Sequence, residues 1–118
     1  MPTLSDLAGV PPPNSIDGIS FKPTLLDEEQ MPHDFLYWEF PSYNGQQAIR
    51  MGKWKGVRKN IFDGNLEIEL YNLETDIKEQ INIASQHPEI VARMKSIMVE
   101  EHEPASNEKF KFTQLGDL

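Results

Sequence analysis

The sequence contains no cysteine among its 118 residues. Disulfide bonds, thiolate zinc sites, iron–sulfur clusters and a cysteine nucleophile are therefore excluded within this chain. It also lacks any apolar run near the roughly 20 residues that a membrane-spanning helix requires, and no signal segment is recognisable at its start. Nineteen acidic against eleven basic residues give a net charge of −8, which opposes binding to nucleic-acid phosphates. We therefore expect neither a nucleic acid nor a membrane as a partner.

Motifs for catalysis and for metal binding are missing as well. No serine lies in a G-x-S-x-G elbow, and no glycine-rich loop suits a phosphate. His87 and His102 lie at opposite ends of a predicted helix, about 22 Å apart at the helical rise of about 1.5 Å per residue, and His33 has no second ligand at metal-binding spacing. Glu67 and Glu69 alternate along a predicted strand, which is typical of a solvated face. The sequence predicts neither a metal site nor a catalytic centre in this chain.

The first thirty residues are rich in proline. They hold five of the nine prolines, and three of these are consecutive, so residues 11–13 are predicted to be extended because proline fixes φ and has no N–H donor. Residues 2–9 have the apolar spacing of about two helical turns ending at Gly9, and so short a helix needs a surface to pack on. We therefore divide the chain into an arm, residues 1–32, and a domain, residues 33–118.

Strand patterns begin after the arm. Asn44-Gly45 predicts a type I′ hairpin turn, because both residues tolerate positive φ, and residues 63–65 predict a second turn. Trp54 and Val57 would share a face only if Gly56 marks a β-bulge, which we predict. Alternation of apolar residues predicts four antiparallel strands, at residues 34–40, 46–51, 53–59 and 66–73.

One long helix follows the strands. Pro88 suits the first helical position, and the helix is predicted to end near His102 or Glu103, just before Pro104. The apolar positions that recur at helical spacing are Ile90, Val91, Met94, Ile97 and Met98. The predicted fold is therefore α+β: a four-stranded antiparallel sheet with one long C-terminal helix packed on one face, preceded by an irregular proline-rich arm.

Positive charge is concentrated between residues 50 and 59. This basic ribbon has no acidic residue and consists of Arg50, Lys53, Lys55, Arg58 and Lys59. We favour pairing of these cations with Glu67 and Glu69 across the strands. The alternative is a surface that holds an anionic sugar.

Several phrases of the sequence, in this order, resemble the arylsulfatase family. Residues 2–10 (PTLSDLAGV) and 17–26 (DGISFKPTLL) resemble the P-T-L-x-D-L-A-G and D-G-x-S-x-x-P-x-L phrases that close the catalytic domain of that family. Residues 33–40 (HDFLYWEF), 47–55 (QAIRMGKWK) and 69–76 (ELYNLETD) resemble its C-terminal subdomain. Asn72 replaces a usual aspartate and Ile77 a usual proline.

The resemblance implies a parent protein that hydrolyses sulfate esters, with formylglycine and calcium in its catalytic domain. The C/S-x-P-x-R motif of the family, whose first residue becomes formylglycine, is absent here, so no cofactor is expected in this chain and activity belongs to the parent. The partner that the resemblance implies is the N-terminal catalytic domain, whose tail would be residues 1–32. A sulfated glycan substrate and a secreted or periplasmic location are also implied.

We therefore interpret the chain as the C-terminal subdomain of a sulfatase, inactive alone. The loop of residues 41–45 is expected to reach the substrate mouth, with Glu39, Tyr43 and Arg50 as candidate substrate-binding residues. An exposed apolar face is expected where the catalytic domain would lie, and a homodimer could cover it. The alternatives are an independent binding module for acidic or sulfated glycans and a packing element without a ligand.

Overall fold

A computed structural model describes all 118 residues, which form two compact units, Met1–Pro32 and His33–Leu118. None of its helices combines the length and the hydropathy that crossing a membrane requires.

The unit Met1–Pro32 is held together by polar contacts. It contains two short helices, α1 (Pro2–Leu7) and α2 (Lys22–Leu25), and α1 confirms the predicted short helix. The carboxylate of Asp6 accepts hydrogen bonds from Ser20 Oγ at 2.8 Å and from Lys22 Nζ at 3.1 Å. Ten large apolar side chains of this unit are exposed, and no apolar side chain is buried: the ten are Met1, Leu4, Leu7, Val10, Ile16, Ile19, Phe21, Leu25, Leu26 and Met31. This unit therefore has no apolar core of its own.

The unit His33–Leu118 contains the predicted four-stranded antiparallel sheet. Its strands lie in the order β1-β2-β3-β4. The strands are β1 (Leu36–Phe40), β2 (Gln46–Met51), β3 (Trp54–Lys59) and β4 (Glu69–Asn72). The bounds of β2 agree with the prediction, whereas β4 begins three residues later than predicted. Before β4, Arg58 Nε donates to the carbonyl oxygen of Leu66 at 3.1 Å, so a side chain and not a strand partner bonds this carbonyl.

The turn between β1 and β2 is centred one residue earlier than the sequence predicted. Gly45 N–H donates to Ser42 O at 3.2 Å, so Tyr43 and Asn44 are the central residues, and both have positive φ. Gly45 also has positive φ, and a Cβ at this position would lie 2.8 Å from a ring carbon of Phe112. Packing as well as turn geometry therefore requires glycine here.

The predicted β-bulge at Gly56 is wrong. The register from Gln46 paired with Lys59 to Met51 paired with Trp54 is unbroken, and Gly56 pairs with Ile49. Trp54 and Val57 consequently lie on opposite faces of the sheet. The glycine is explained by packing instead, since a Cβ at residue 56 would lie 2.5 Å from Sδ of Met94.

The helix α3 (Pro88–Glu100) covers one face of the sheet, as predicted, and ends two residues before the predicted stop. Residues 101–118 then continue through two short 3-10 turns, Glu108–Phe110 and Thr113–Leu115. The core between helix and sheet is formed by Ile49, Ile68, Leu70, Met94, Ile97 and Met98. Ile90 and Val91 are partly buried against it, so the predicted apolar stripe is confirmed.

Substitution of Gly56 by alanine tests this close approach. We expect Gly56→Ala to lower the free energy of unfolding by about 1 to 3 kcal/mol, because the methyl group forces Met94 out of its position. Urea unfolding of the single and double variants measures the effect. In a chain that already carries Met94→Ala, the same glycine substitution should cost clearly less. Equal costs in both backgrounds would mean that Met94 is not the obstacle.

Candidate functional site

The three predicted substrate-binding residues do not converge. Glu39 lies in β1 on the face that α3 covers, whereas Arg50 pairs with Leu36 and therefore projects from the opposite face. The Arg50 side chain is exposed and donates from Nε to Gly52 O at 3.2 Å. Tyr43 lies in the hairpin loop, is 80% exposed, and has its ring centroid 6.1 Å from that of Phe40. Only Glu39 belongs to a network of buried polar groups.

Glu39 is joined to His102 and Asp117 by two short contacts. His102 lies two residues beyond α3, and its Nδ1 is 2.6 Å from Glu39 Oε1. On the other side of the ring, His102 Nε2 is 2.6 Å from Asp117 Oδ1. The second oxygen of Asp117 accepts the backbone N–H of Phe112 at 2.7 Å. The Asp117 side chain is only 1% exposed, so this histidine bridges two carboxylates in a largely buried setting.

Tyr37, Gln47 and Arg58 extend the network across the sheet. Gln47 Nε2 donates to Tyr37 Oη at 2.8 Å and to Glu39 Oε1 at 2.7 Å, and the Tyr37 hydroxyl donates to the same Glu39 oxygen. Gln47 Oε1 accepts from Arg58 Nη1 at 2.6 Å. Every buried side-chain nitrogen and oxygen in the structure has a hydrogen-bond partner. The network is therefore complete in itself.

The pKa values within the network follow from burial and from these contacts. Burial, and then the Glu39 carboxylate, raise the pKa of Tyr37 far above its usual value, so its hydroxyl stays protonated. Burial lowers the pKa of His102, but hydrogen bonds to Asp117 and Glu39 outweigh it and the net pKa is raised. Burial raises the pKa of Asp117, but the hydrogen bonds from His102 and Phe112 outweigh it and the net pKa is lowered. The bridge therefore favours a charged imidazolium between two carboxylates.

This arrangement resembles a catalytic histidine but lacks what catalysis needs. A general base requires a free ring nitrogen beside the reacting group, and both nitrogens of His102 are occupied. The cavity beside the ring measures about 60 Å³, far below the volume of a small-molecule site. Its lining consists of Gln47, Arg58, Met98, Val99, His102 and Leu115. We therefore interpret the network as structural.

Part of this network could have been recognised from the sequence. Tyr37, Gln47 and Arg58 occupy strand positions on the same face as the core residue Ile49. A polar residue at a core-facing position of a strand indicates a buried side chain that needs a hydrogen-bond partner. Asp117 carries no such signal, because the residues after Pro104 have no periodicity. Its contact with His102 arises only when the chain returns to the sheet.

Most of the basic ribbon is already paired. Lys59 Nζ lies 2.6 Å from Glu69, which confirms cross-strand pairing for this residue. Lys55 instead pairs with Glu79 at 2.5 Å and Lys53 with Glu74 at 3.5 Å, while Glu67 forms no ion pair with the ribbon. Arg58 is buried. Only Arg50 is left as an exposed cation without a carboxylate partner, which weakens the case for an anion-binding surface.

The sheet face opposite α3 has exposed aromatic side chains. Trp38 and Phe40 alternate with Glu39 along β1 and therefore share this face, and each is 50% exposed. Tyr43 extends the aromatic surface from Phe40 into the hairpin loop. An apolar surface of this kind is typical of a protein interface.

Polar side chains of β4 and of the segment that follows it have structural roles. Asn82 Oδ1 accepts the backbone N–H groups of Leu70 and Ala84, each at 3.0 Å, and so joins β4 to the chain before α3. Asp76 Oδ2 accepts two further backbone N–H groups, from Gln80 and Ile81, each at 2.8 Å. Asn72 still accepts from Glu74 N–H at 3.1 Å, so it keeps the acceptor that an aspartate would supply.

The residues of this chain do not fit a metal ion. No three side chains among its histidines, aspartates and glutamates are placed to hold one. In the turn after β3, Asp63 accepts a hydrogen bond from Asn44, and Asn65 Oδ1 accepts Glu67 N–H at 3.1 Å. These oxygens therefore accept hydrogen bonds that stabilise the turn.

Comparison with known proteins places these features in a family. Residues 1–104 match the family model described as N-sulphoglucosamine sulphohydrolase, C-terminal. The chain is 33% identical over 107 residues to arylsulfatase K of Danio rerio, which covers 82% of this chain and 20% of that protein. It is also similar to the structure of a 2-O GAG sulfatase, with a TM-score of 0.70 and 30% identity, over 84% of this chain and 22% of the other.

A second solved structure is that of a protein in complex with its substrate D-glucosamine-2-N,6-O-disulfate. Its TM-score is 0.67 at 26% identity, again over 84% of this chain and 22% of the other. The chain thus spans about a fifth of the length of the curated relative reported above.

Proposed function

Because this chain belongs to the family of sulfatase C-terminal domains, we propose that it packs against a sulfatase catalytic domain, supports it, and hydrolyses no sulfate ester alone. The observation that carries this proposal is the apolar surface of Met1–Pro32. Ten large apolar side chains are exposed there and none is buried. A segment without a core is stable only when another surface covers its apolar side chains. The catalytic domain is the surface that the family provides.

The open face of the sheet supports the same role. Trp38 and Phe40 present half of their surface to solvent on the side that α3 does not cover. Burial of aromatic side chains contributes strongly to protein interfaces. We therefore assign this face to the contact with the catalytic domain.

The chemistry of hydrolysis belongs, in this proposal, to the catalytic domain. Formylglycine and calcium supply the nucleophile and the charge stabilisation in the family. This chain has no C/S-x-P-x-R motif and no group of metal ligands, so neither fits here and we assign no step of the reaction to its residues. One of the similar solved structures holds its substrate D-glucosamine-2-N,6-O-disulfate, which is a sulfated sugar. A sulfated sugar is therefore the substrate class that we propose. We also propose a secreted or periplasmic location, as the family resemblance implies.

The loop of residues 41–45 is the part of this domain that we propose to reach the substrate. Tyr43 is exposed at its tip, and Arg50 is the exposed cation of the basic ribbon that has no carboxylate partner. Glu39 is engaged with Tyr37, Gln47 and His102, so its contribution would be to hold β1 in place beneath the loop.

An activity assay tests the proposal directly. We expect the 118-residue chain, incubated with an aryl sulfate and calcium, to release no product above the buffer blank, because it lacks the C/S-x-P-x-R motif that supplies formylglycine. An active sulfatase of the same family, assayed in parallel, shows that the conditions permit turnover. Hydrolysis that co-purifies with the chain would disprove the proposal.

A further inference from the structure

Residues 105–118, which we call the strap, lie outside the residues that match the family model and pack against the hairpin. The Phe112 ring stacks on Phe62 with centroids 5.2 Å apart, and it fills the space beside Gly45. Gln114 Nε2 donates to Phe62 O at 3.0 Å. The strap therefore covers the base of the loop of residues 41–45.

A single ion pair joins the strap to the rest of the domain. It is the contact between Asp117 and His102, since the other ion pair of the strap, Lys111 with Glu108, lies within it. Asp117 also accepts Phe112 N–H, so the same carboxylate fixes the aromatic anchor of the strap. His102 therefore makes the charged contact that holds the strap, in addition to the packing of Phe112 and the hydrogen bond of Gln114.

The two contacts of His102 determine how many protons the cluster of Glu39, His102 and Asp117 must hold while the strap is bound to the domain. A neutral imidazole carries one N–H, so it can donate to one carboxylate only, and its other nitrogen presents a lone pair. Here both ring nitrogens lie 2.6 Å from carboxylate oxygens. Both contacts are attractive only when the cluster of Glu39, His102 and Asp117 holds a second proton. Loss of that proton places a lone pair against a carboxylate oxygen.

We propose that His102 is a pH-dependent latch, which holds the strap over the hairpin loop while both ring nitrogens are protonated and releases it when one proton is lost. The contact that breaks is the one between His102 and Asp117. Glu39 lies on a strand and keeps the donors Tyr37 and Gln47, whereas Asp117 lies outside any helix or strand, next to the end of the chain. The neutral imidazole then retains its bond to Glu39 and loses the strap.

The groups around the latch support this direction of the pH effect. The titratable or charged side chains that face it are Glu39 and Tyr37 from β1, Arg58 from β3, and Asp117 and Lys111 from the strap. The parts of β2 and α3 that line its cavity contribute only Gln47, Met98 and Val99. The raised pKa of His102 means that its contribution is present at lower pH and is lost as pH rises through that pKa. The lowered pKa of Asp117 means that its contribution is lost only in acid, below the usual range of an aspartate.

Nuclear magnetic resonance of the complete chain tests the latch. The ¹⁵N signals of the His102 ring report its protonation, and the ¹³C signals of the Leu115 methyl groups, which do not exchange with water, report the position of the strap. Between about pH 5.5 and about pH 9.5 we expect both sets to change with one midpoint, above the ordinary histidine value of about 6.5. Above the midpoint, the ratio of released to bound strap should rise by up to about tenfold per pH unit. Leu115 signals that do not change with His102 would overturn the latch.

The variant Asp117→Asn is expected to reverse the effect. Its amide oxygen can accept Phe112 N–H while its amide NH₂ donates to the lone pair of neutral His102, so the strap closes at alkaline pH. In acid, the imidazolium N–H faces the amide NH₂ and the strap opens. Asp34→Asn, at an exposed position, is the matched control and should titrate like the unaltered protein. Asp117→Asn that titrates in the same direction as the unaltered chain, or that leaves the strap open at every pH, contradicts the proposal.

Discussion

Replacing Met94 with alanine is expected to lower the free energy of unfolding by about 2 to 5 kcal/mol, the range for truncating a fully buried large apolar side chain. Met94 is 0% exposed and lies at the centre of the core between α3 and the sheet, directly over Gly56. Its removal leaves a cavity that α3 cannot close, because Met98 and Ile97 already fill the neighbouring positions. Urea unfolding followed by tryptophan fluorescence measures the change, since Trp54 packs against this core.

Val99→Ala is the matched control for this prediction. It removes apolar atoms from the same helix, but the Val99 side chain is 69% exposed, so a change within about 0.5 kcal/mol is expected. If Met94→Ala cost no more than Val99→Ala, the helix would not be packed on the sheet as described.

Removal of the Glu39 carboxylate is expected to destabilise the domain by roughly 3 kcal/mol, the order found when one partner of a buried charged pair is deleted. In Glu39→Ala, the Tyr37 hydroxyl, the Gln47 amide and the His102 imidazole lose their shared acceptor. Buried donors without an acceptor retain the full cost of leaving water. The same unfolding experiment measures this loss.

Tyr43→Ala separates a structural role from a substrate role. Tyr43 is 80% exposed and its hydroxyl belongs to no part of the network, so its substitution should leave stability nearly unchanged. A large loss of stability in Tyr43→Ala would remove Tyr43 from the candidate substrate contacts. If Glu39→Ala left the stability unchanged, Glu39 would again be a candidate substrate contact.

Much of the architecture could be predicted because it depends on local patterns. The apolar stripe from Ile90 to Met98 requires a helix with one buried face, and the alternation along β1 and β2 requires strands. The order of four antiparallel strands follows from short connections between neighbours. Each of these features is visible within a few consecutive residues.

Gly56 and Gly45 show where local patterns are insufficient. From backbone conformation alone, the sequence predicts a bulge at Gly56 and a turn residue at Gly45. In the structure each also makes room for a side chain distant in sequence, Met94 at Gly56 and Phe112 at Gly45. A missing Cβ has the same appearance in the sequence whether it serves the backbone or a neighbour.

The fold class, the sheet order, the helix and the family can all be predicted from the amino-acid sequence, because periodicity, turn residues and family phrases are properties of short segments. Which polar groups contact one another depends instead on the packing of the folded chain. Glu39 and Asp117 are 78 positions apart, and their common contact with His102 exists because residues 105–118 return to β1. No pattern within one segment encodes that meeting, since it depends on how distant segments pack and on which buried donors need acceptors.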